Sequence, residues 1–181
     1  MNSLSGIEHK GLVHLYTGGG KGKTTAAAGL AVRALGTGKT VLFCQFLKGL
    51  ASGELKGLQL LGAKILRAKV CGKFVSQMDN DELALLKKDH EECFLEASSL
   101  ILSGGIDVAV FDEAVDAVNL GIICEDRLFE LIAKRPAHVE IVITGHKPWE
   151  NLKRLADYET DFVCAKHPFD KGVPARRGIE Y

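Results

Sequence analysis

Thr17-Gly18-Gly19-Gly20-Lys21-Gly22-Lys23-Thr24-Thr25 is the stretch on which the reading of this chain turns. An apolar run, Gly11-Leu12-Val13-His14-Leu15-Tyr16, precedes it, and an alanine-rich stretch, residues 26–35, follows. Strand, glycine loop, Gly-Lys-Thr and helix, in that order, is the layout of a phosphate-binding loop. Glycines let backbone N–H groups turn inward and approach an anion. The start of a helix adds unpaired N–H groups and a partial positive charge. In this layout Gly18, Gly19, Gly20, Lys21, Gly22 and Thr25 cradle phosphates. Lys23 reaches the outer phosphates, and the Thr24 hydroxyl is a Mg²⁺ ligand. The expected ligand is a nucleoside triphosphate. The general pattern places its first glycine where Thr17 stands, and here Gly18 follows one residue later. A glycine-rich turn that merely caps a helix is the plainer alternative.

Working outward, 181 residues suit one domain with a sizeable core. A single nucleotide-binding domain over residues 1–181 is expected, with residues 1–10 a short flexible N-terminus lacking a signal-peptide core. The 23 basic and 23 acidic residues cancel, so nothing asks for nucleic acid or an anionic membrane. No apolar run approaches the roughly 20 residues that span a bilayer. Cys44, Cys71, Cys93, Cys124 and Cys164 are widely spaced and form no Cys-x-x-Cys pair. Reduced, mostly buried thiols in a cytoplasmic protein are the expectation.

Further along, residues 40–46 read as a second strand and 63–68 as a weaker third. Residues 79–102 read as a long helix, capped by Asp79, with apolar positions at Leu83, Leu86, Phe94, Leu95 and Ile101. Gly104-Gly105 ends it. Residues 107–111 are strand, 125–133 helix, 139–144 strand, 149–156 helix and 161–165 strand. Short apolar strands separated by helices predict an α/β fold. Its core is a doubly wound, mostly parallel sheet with helices on both faces, in a three-layer, RecA-like phosphate-loop architecture. Ligands then sit beyond the carboxyl ends of the strands.

Val108-Ala109-Val110-Phe111-Asp112-Glu113 is the second strong signal. Two carboxylates after a buried strand can hold or orient Mg²⁺, or activate a nucleophile. Alternatively, Asp112 caps a helix and Glu113 favours its first turn. Gln45 and Lys48 end the second strand and either face the ligand or are solvated, and Gly53-Glu54 is equally open. His146, after Thr144-Gly145, is either a ligand contact or surface. His14 reads as structural and His90, in a charged helix, as solvated. The tail from Lys166 to Tyr181 is basic and turn-rich, and read alone it is a solvated tail.

Four blocks together resemble the ATP:corrinoid adenosyltransferases. They are Tyr16-Thr17-Gly18 through Thr25, Gln45-Phe46-Leu47-Lys48-Gly49, Phe111-Asp112-Glu113, and Lys166-His167-Pro168-Phe169-Asp170-Lys171-Gly172 with Gly178-Ile179-Glu180-Tyr181. Arg135-Pro136 and Thr144-Gly145 fit as well, and the shifted loop is normal for this family. The resemblance implies a homodimeric enzyme using ATP as substrate, Mg²⁺, and a reduced corrinoid supplied with electrons by a flavoprotein. Cobalt(I) attacks the ribose 5′-carbon and triphosphate leaves. Lys23, Thr24 and Glu113 are the implied catalytic residues, and Thr24, Asp112 and Glu113 the metal set. The implied substrate contacts are the loop with Lys48, Lys166, His167 and Phe74. Two departures stand out. Only about ten residues precede the first strand, where members often carry a covering extension. The family's Phe-x-Trp pair is also missing, leaving Phe74 as the candidate aromatic wedge beneath the corrinoid. An ordinary ATPase or kinase, and a non-catalytic nucleotide-binding regulator, are the rival readings.

Overall fold

Among the described residues, six strands lie side by side, all parallel, in the order β3-β2-β4-β5-β1-β6. This computed structural model describes residues 10–49, 52–69, 73 and 75–180. In chain order the strands are β1 Val13–Thr17, β2 Val41–Gln45, β3 Lys64–Arg67, β4 Val108–Asp112, β5 Glu140–Thr144 and β6 Tyr158–Asp161. The helices are α1 Lys23–Gly36, α2 Gly53–Leu60, α3 Asn80–Leu102, α4 Ala114–Asn119, α5 Glu125–Lys134 and α6 Glu150–Leu155.

Alternation along the strands makes the three layers. Val41, Phe43, Val108, Val110 and Val142 point to one face, where Ala27, Ala28, Ala31 and Ala34 of α1 and Leu55 and Leu58 of α2 cover them. The alanines let α1 lie close against the sheet. Leu42, Cys44, Ala109, Phe111, Ile141 and Ile143 point to the other face, against α3, α4, α5 and Leu152 of α6. Because helices cover both faces, β2 and β4 are buried at every residue, and their sequences read as apolar runs up to the last position, Gln45 in β2 and Asp112 in β4.

The long helix begins where Asp79 predicts. Its carboxylate accepts from the Glu82 N–H at 2.9 Å, and Glu82 reaches back to the Asp79 N–H, closing a capping box. Gly104, at φ 81°, ends the turn. The buried stripe of α3 runs Leu86, His90, Cys93, Phe94, Ala97 and Ile101, while Leu95, expected on it, is exposed.

Three elements differ from the sequence expectation. The last strand is Tyr158–Asp161, not 161–165: the Asp157 carboxylate accepts from the Val13 N–H at 2.8 Å, and β6 runs on in register with β1. The residues that follow instead pass over the glycine loop, where Phe162 accepts from the Gly20 N–H. Helices α2 and α4 were not expected. Gly53 and Gly57 lower the helical signal of α2, and α4 is only six residues long. Of the cysteines described, Cys44 and Cys93 are buried but Cys124 and Cys164 are exposed, against the expectation of mostly buried thiols. Cys124 sits at the start of α5, and Cys164 lies beyond β6. Cys71 is outside the described residues.

Candidate functional site

The glycine loop connects the C-terminal end of β1 to α1. Thr17 remains a strand residue, paired with Asp161, so the turn starts one residue later than the general pattern. Gly18 takes up the turn at φ 99°, a conformation L side chains rarely adopt, and a Cβ there would lie 2.1 Å from Asp161 Oδ1. The Gly18 amide donates to the His146 carbonyl at 3.2 Å, and the Gly20 amide to the Phe162 carbonyl at 2.6 Å. The loop is thus pinned between the segments following β5 and β6. Lys23 is only 7% exposed, and its Nζ donates to the carbonyls of Gly18 and Gly20 at 2.7 and 3.0 Å. The amides that open α1 have no acceptor within their own helix, and their residues, Lys23, Thr24 and Thr25, line the cleft.

Asp112, at the end of β4, is fully buried and organises the floor behind the loop. Its Oδ1 accepts from the hydroxyls of Thr24, at 2.9 Å, and Thr144, at 2.8 Å. Its Oδ2 accepts from Gln45 Nε2 at 3.0 Å and Lys48 Nζ at 2.9 Å. The carboxylate therefore faces Thr24 and Lys48, not the open cleft. Lys48 Nζ donates to Thr24 Oγ1 as well, at 2.9 Å. Thr144 had no assigned role in the sequence reading; its position at the carboxyl end of β5 was the available signal.

Neither acidic residue caps a helix through its side chain. Asp112 lies in β4, and Glu113, at the N-cap of α4, makes no side-chain cap bond. Glu113 sits at φ 61°, ψ 20°, left-handed backbone that costs a non-glycine residue of order 1 kcal/mol. Its N–H donates to Thr144 Oγ1 at 3.0 Å. Burial pushes its carboxyl up to about 7, reinforced by the charge of Asp112 and a hydrogen bond with Asp116, and opposed by Lys48. Asp116 is held in turn by the N–H and Nδ1 of His146, at 3.0 and 3.1 Å. Glu113, Asp116 and His146 bring their polar atoms within 4.8 Å of one another.

Lys48 reaches this floor because residues 46–49 are clamped. Leu47 adopts φ 57°, and its N–H donates to His90 Nε2 at 3.1 Å. His90 Nδ1–H donates to the Leu86 carbonyl at 2.8 Å, which sets the tautomer. Arg67 donates to the Lys48 carbonyl at 2.6 Å. His90 was expected to be solvated. It is fully buried, one helical turn from both Leu86 and Phe94, and burial depresses its pKa below the ordinary histidine range. Counting along the helix from Leu86 would have placed it on the inner face.

These groups border a cleft of about 1030 Å³, whose walls include Lys48, Glu54, Glu113, His146, His167 and Ile179. Glu54, in the first turn of α2, stands 3.9 Å from Lys48 Nζ. The tail returns to the loop, where Glu180 Oε1 accepts from Lys21 Nζ at 3.0 Å. Arg176 and Lys21 pull the Glu180 carboxyl down to about 2. His167 lines the cleft, whereas Lys166 is exposed and outside its described wall. Phe74 lies outside the described residues. His14, expected to be structural, bonds to Glu140 and stacks on Tyr158 with ring centroids 4.6 Å apart.

Residues 9–181 match the family model described as ATP:corrinoid adenosyltransferase BtuR/CobO/CobP. The chain is 30% identical over 175 residues to a protein of Escherichia coli (strain K12) named corrinoid adenosyltransferase, covering 96% of this chain and 87% of that one. It is 33% identical over 178 residues to the corrinoid adenosyltransferase CobA of Salmonella typhimurium, with the same two coverages. A corrinoid adenosyltransferase of Pseudomonas aeruginosa is 29% identical over 174 residues, covering 96% of this chain and 85% of that one.

Proposed function

Because the chain belongs to the ATP:corrinoid adenosyltransferase family, we propose that it transfers the 5′-deoxyadenosyl group of ATP to cobalt(I) of a corrinoid in adenosylcobalamin synthesis or salvage. In this step a cobalt–carbon bond forms at the ribose 5′-carbon. The C5′–O bond breaks, and triphosphate leaves with the bonding electrons. Cobalt(I) is itself a strong nucleophile, so no side chain has to remove a proton. The protein's work is to orient ATP and to stabilise charge on the leaving group.

The observation that carries this reading is the convergence of Thr24, Asp112, Glu113 and Lys48 beside the glycine loop. Lys23 and the amides opening α1 hold the triphosphate and meet the charge that builds on it. The Thr24 hydroxyl donates to Asp112, which fixes it and leaves its lone pairs to accept, at present from Lys48. Oxygen donors suit Mg²⁺, and this donor set already surrounds one cation, the Lys48 ammonium. Thr24 and Glu113 would hold the metal, with Asp112 behind Thr24. Bound there, Mg²⁺ supplies charge neutralisation to the leaving triphosphate. His167 and Lys166 belong to the substrate-contact set in this reading, His167 from the cleft wall. A flavoprotein reductant, a homodimer and a cytoplasmic location complete it, and light scattering tests the dimer.

Phosphorus NMR of the products decides the reaction. Triphosphate stoichiometric with adenosylated corrinoid is expected. ADP and phosphate without alkylated corrinoid would replace this reading with that of an ATPase or kinase.

A further inference from the structure

Lys48 is placed where a solvated lysine would not rest. Its Nζ lies 2.9 Å from both Thr24 Oγ1 and Asp112 Oδ2, 3.9 Å from Glu54 Oε1 and 4.0 Å from Glu113 Oε1. Three carboxylates and a hydroxyl thus converge on one ammonium, and two of the four groups, Thr24 and Glu113, are those assigned above to Mg²⁺. The backbone is committed to this placement. Leu47 is held in left-handed conformation by the buried His90, and Arg67 grips the Lys48 carbonyl. Lys23 does not share the task, since its Nζ is turned to the carbonyls of Gly18 and Gly20.

We infer that Lys48 is a resident counter-cation of the metal pocket, which competes with free divalent ions and yields its place only when the nucleotide arrives with its metal. Without Lys48 the buried Asp112 would face Glu54 and Glu113 with no cation between them, a costly arrangement. A free divalent ion must expel the ammonium to reach Thr24 Oγ1, and the expelled ammonium gains no partner. A metal carried by a triphosphate offers one, because the phosphate oxygens accept the displaced Lys48. The exchange keeps every charge paired, and it makes Lys48 a positioning residue that couples metal entry to nucleotide entry. This inference rests on the metal reading of the pocket.

The test is Mn²⁺ binding to nucleotide-free protein, followed by the paramagnetic resonance signal of free Mn²⁺, in wild type, Lys48→Met, Lys48→Gln and Lys48→Arg. Removing the resident charge should tighten Mn²⁺ binding about tenfold or more in the Met and Gln variants, with Arg close to wild type. Calorimetry with Mg²⁺ and inorganic triphosphate should show the opposite: about a fivefold or greater loss in the neutral variants. A purely structural lysine would weaken both affinities together. Unchanged or weaker Mn²⁺ affinity in the neutral variants overturns the inference, provided wild type binds Mn²⁺ when ATP is present. If wild type fails to bind Mn²⁺ even with ATP, the metal reading itself falls. The single tryptophan, Trp149, packed edge-on to Phe129, reports by fluorescence whether each variant has folded.

Discussion

Replacing Glu113 by Gln removes one buried charge and keeps the size and the hydrogen-bonding capacity of the side chain. In the folded protein this carboxyl titrates at about 7, against an ordinary value of 4.5, chiefly because it is buried and also because Asp112 stands next to it. Between those two pH values the unfolded chain releases the proton while the folded protein keeps it. The unfolded state then binds fewer protons, so stability falls as pH rises through this window and stays lowered above it. At 1.36 kcal/mol per pH unit the shift corresponds to about 3 kcal/mol. The side chain is 17% exposed, so solvent screening takes little from that figure. Urea unfolding of wild type and Glu113→Gln, followed by Trp149 fluorescence at about pH 5 and about pH 8.5, reads the difference directly. Gln should be close to neutral at the lower pH and stabilising by about 3 kcal/mol at the higher one. Comparing the two proteins at each pH cancels titrations they share, including that of His90. Equal effects of the substitution at both pH values would refute the claim that burial and Asp112 raise the Glu113 carboxyl above its ordinary range. Turnover should fall in the same variant, since the charge that costs stability is the one proposed to hold Mg²⁺.

Lys23→Ala should lower turnover by about two to three orders of magnitude with little change in urea midpoint, measured by the absorbance of the cobalt–carbon product. Asp79→Ala breaks the capping box of α3 and should cost about 1 kcal/mol in urea unfolding, with the activity of the remaining folded protein unchanged. His90→Leu leaves the Leu47 N–H without its acceptor and should cost about 1–3 kcal/mol. In wild type the neutral, buried His90 contributes stability above about pH 6.5, which is lost as pH falls toward its depressed folded value. The pH profile of His90→Leu should lack that acid-side loss.

The features legible in the chain were those set by neighbouring residues. Gly-Lys-Thr after an apolar run placed the glycine loop, because left-handed turns and helix starts depend on local residue types. The cap at Asp79 and the buried strands β2 and β4 were read for the same reason. Short helices escaped: α4 has too few residues to show a period, and the glycines of α2 mask one. His90 was misplaced because the charges around it outweighed its spacing from Leu86 and Phe94. What only the tertiary structure decided was convergence. Thr24, Gln45, Lys48 and Thr144 come from the start of α1 and the ends of β2 and β5, yet they share one carboxylate, that of Asp112 at the end of β4. The strand order sets β5 between β1 and β4, so Thr144 can bridge to Asp112 while Thr24 reaches it from the loop. Left-handed Leu47 and Glu113 depend on the same packing, since nothing in either residue's own chemistry favours that backbone. Local sequence encodes period and turn chemistry, whereas the partner of a buried charge is chosen by which strands lie side by side.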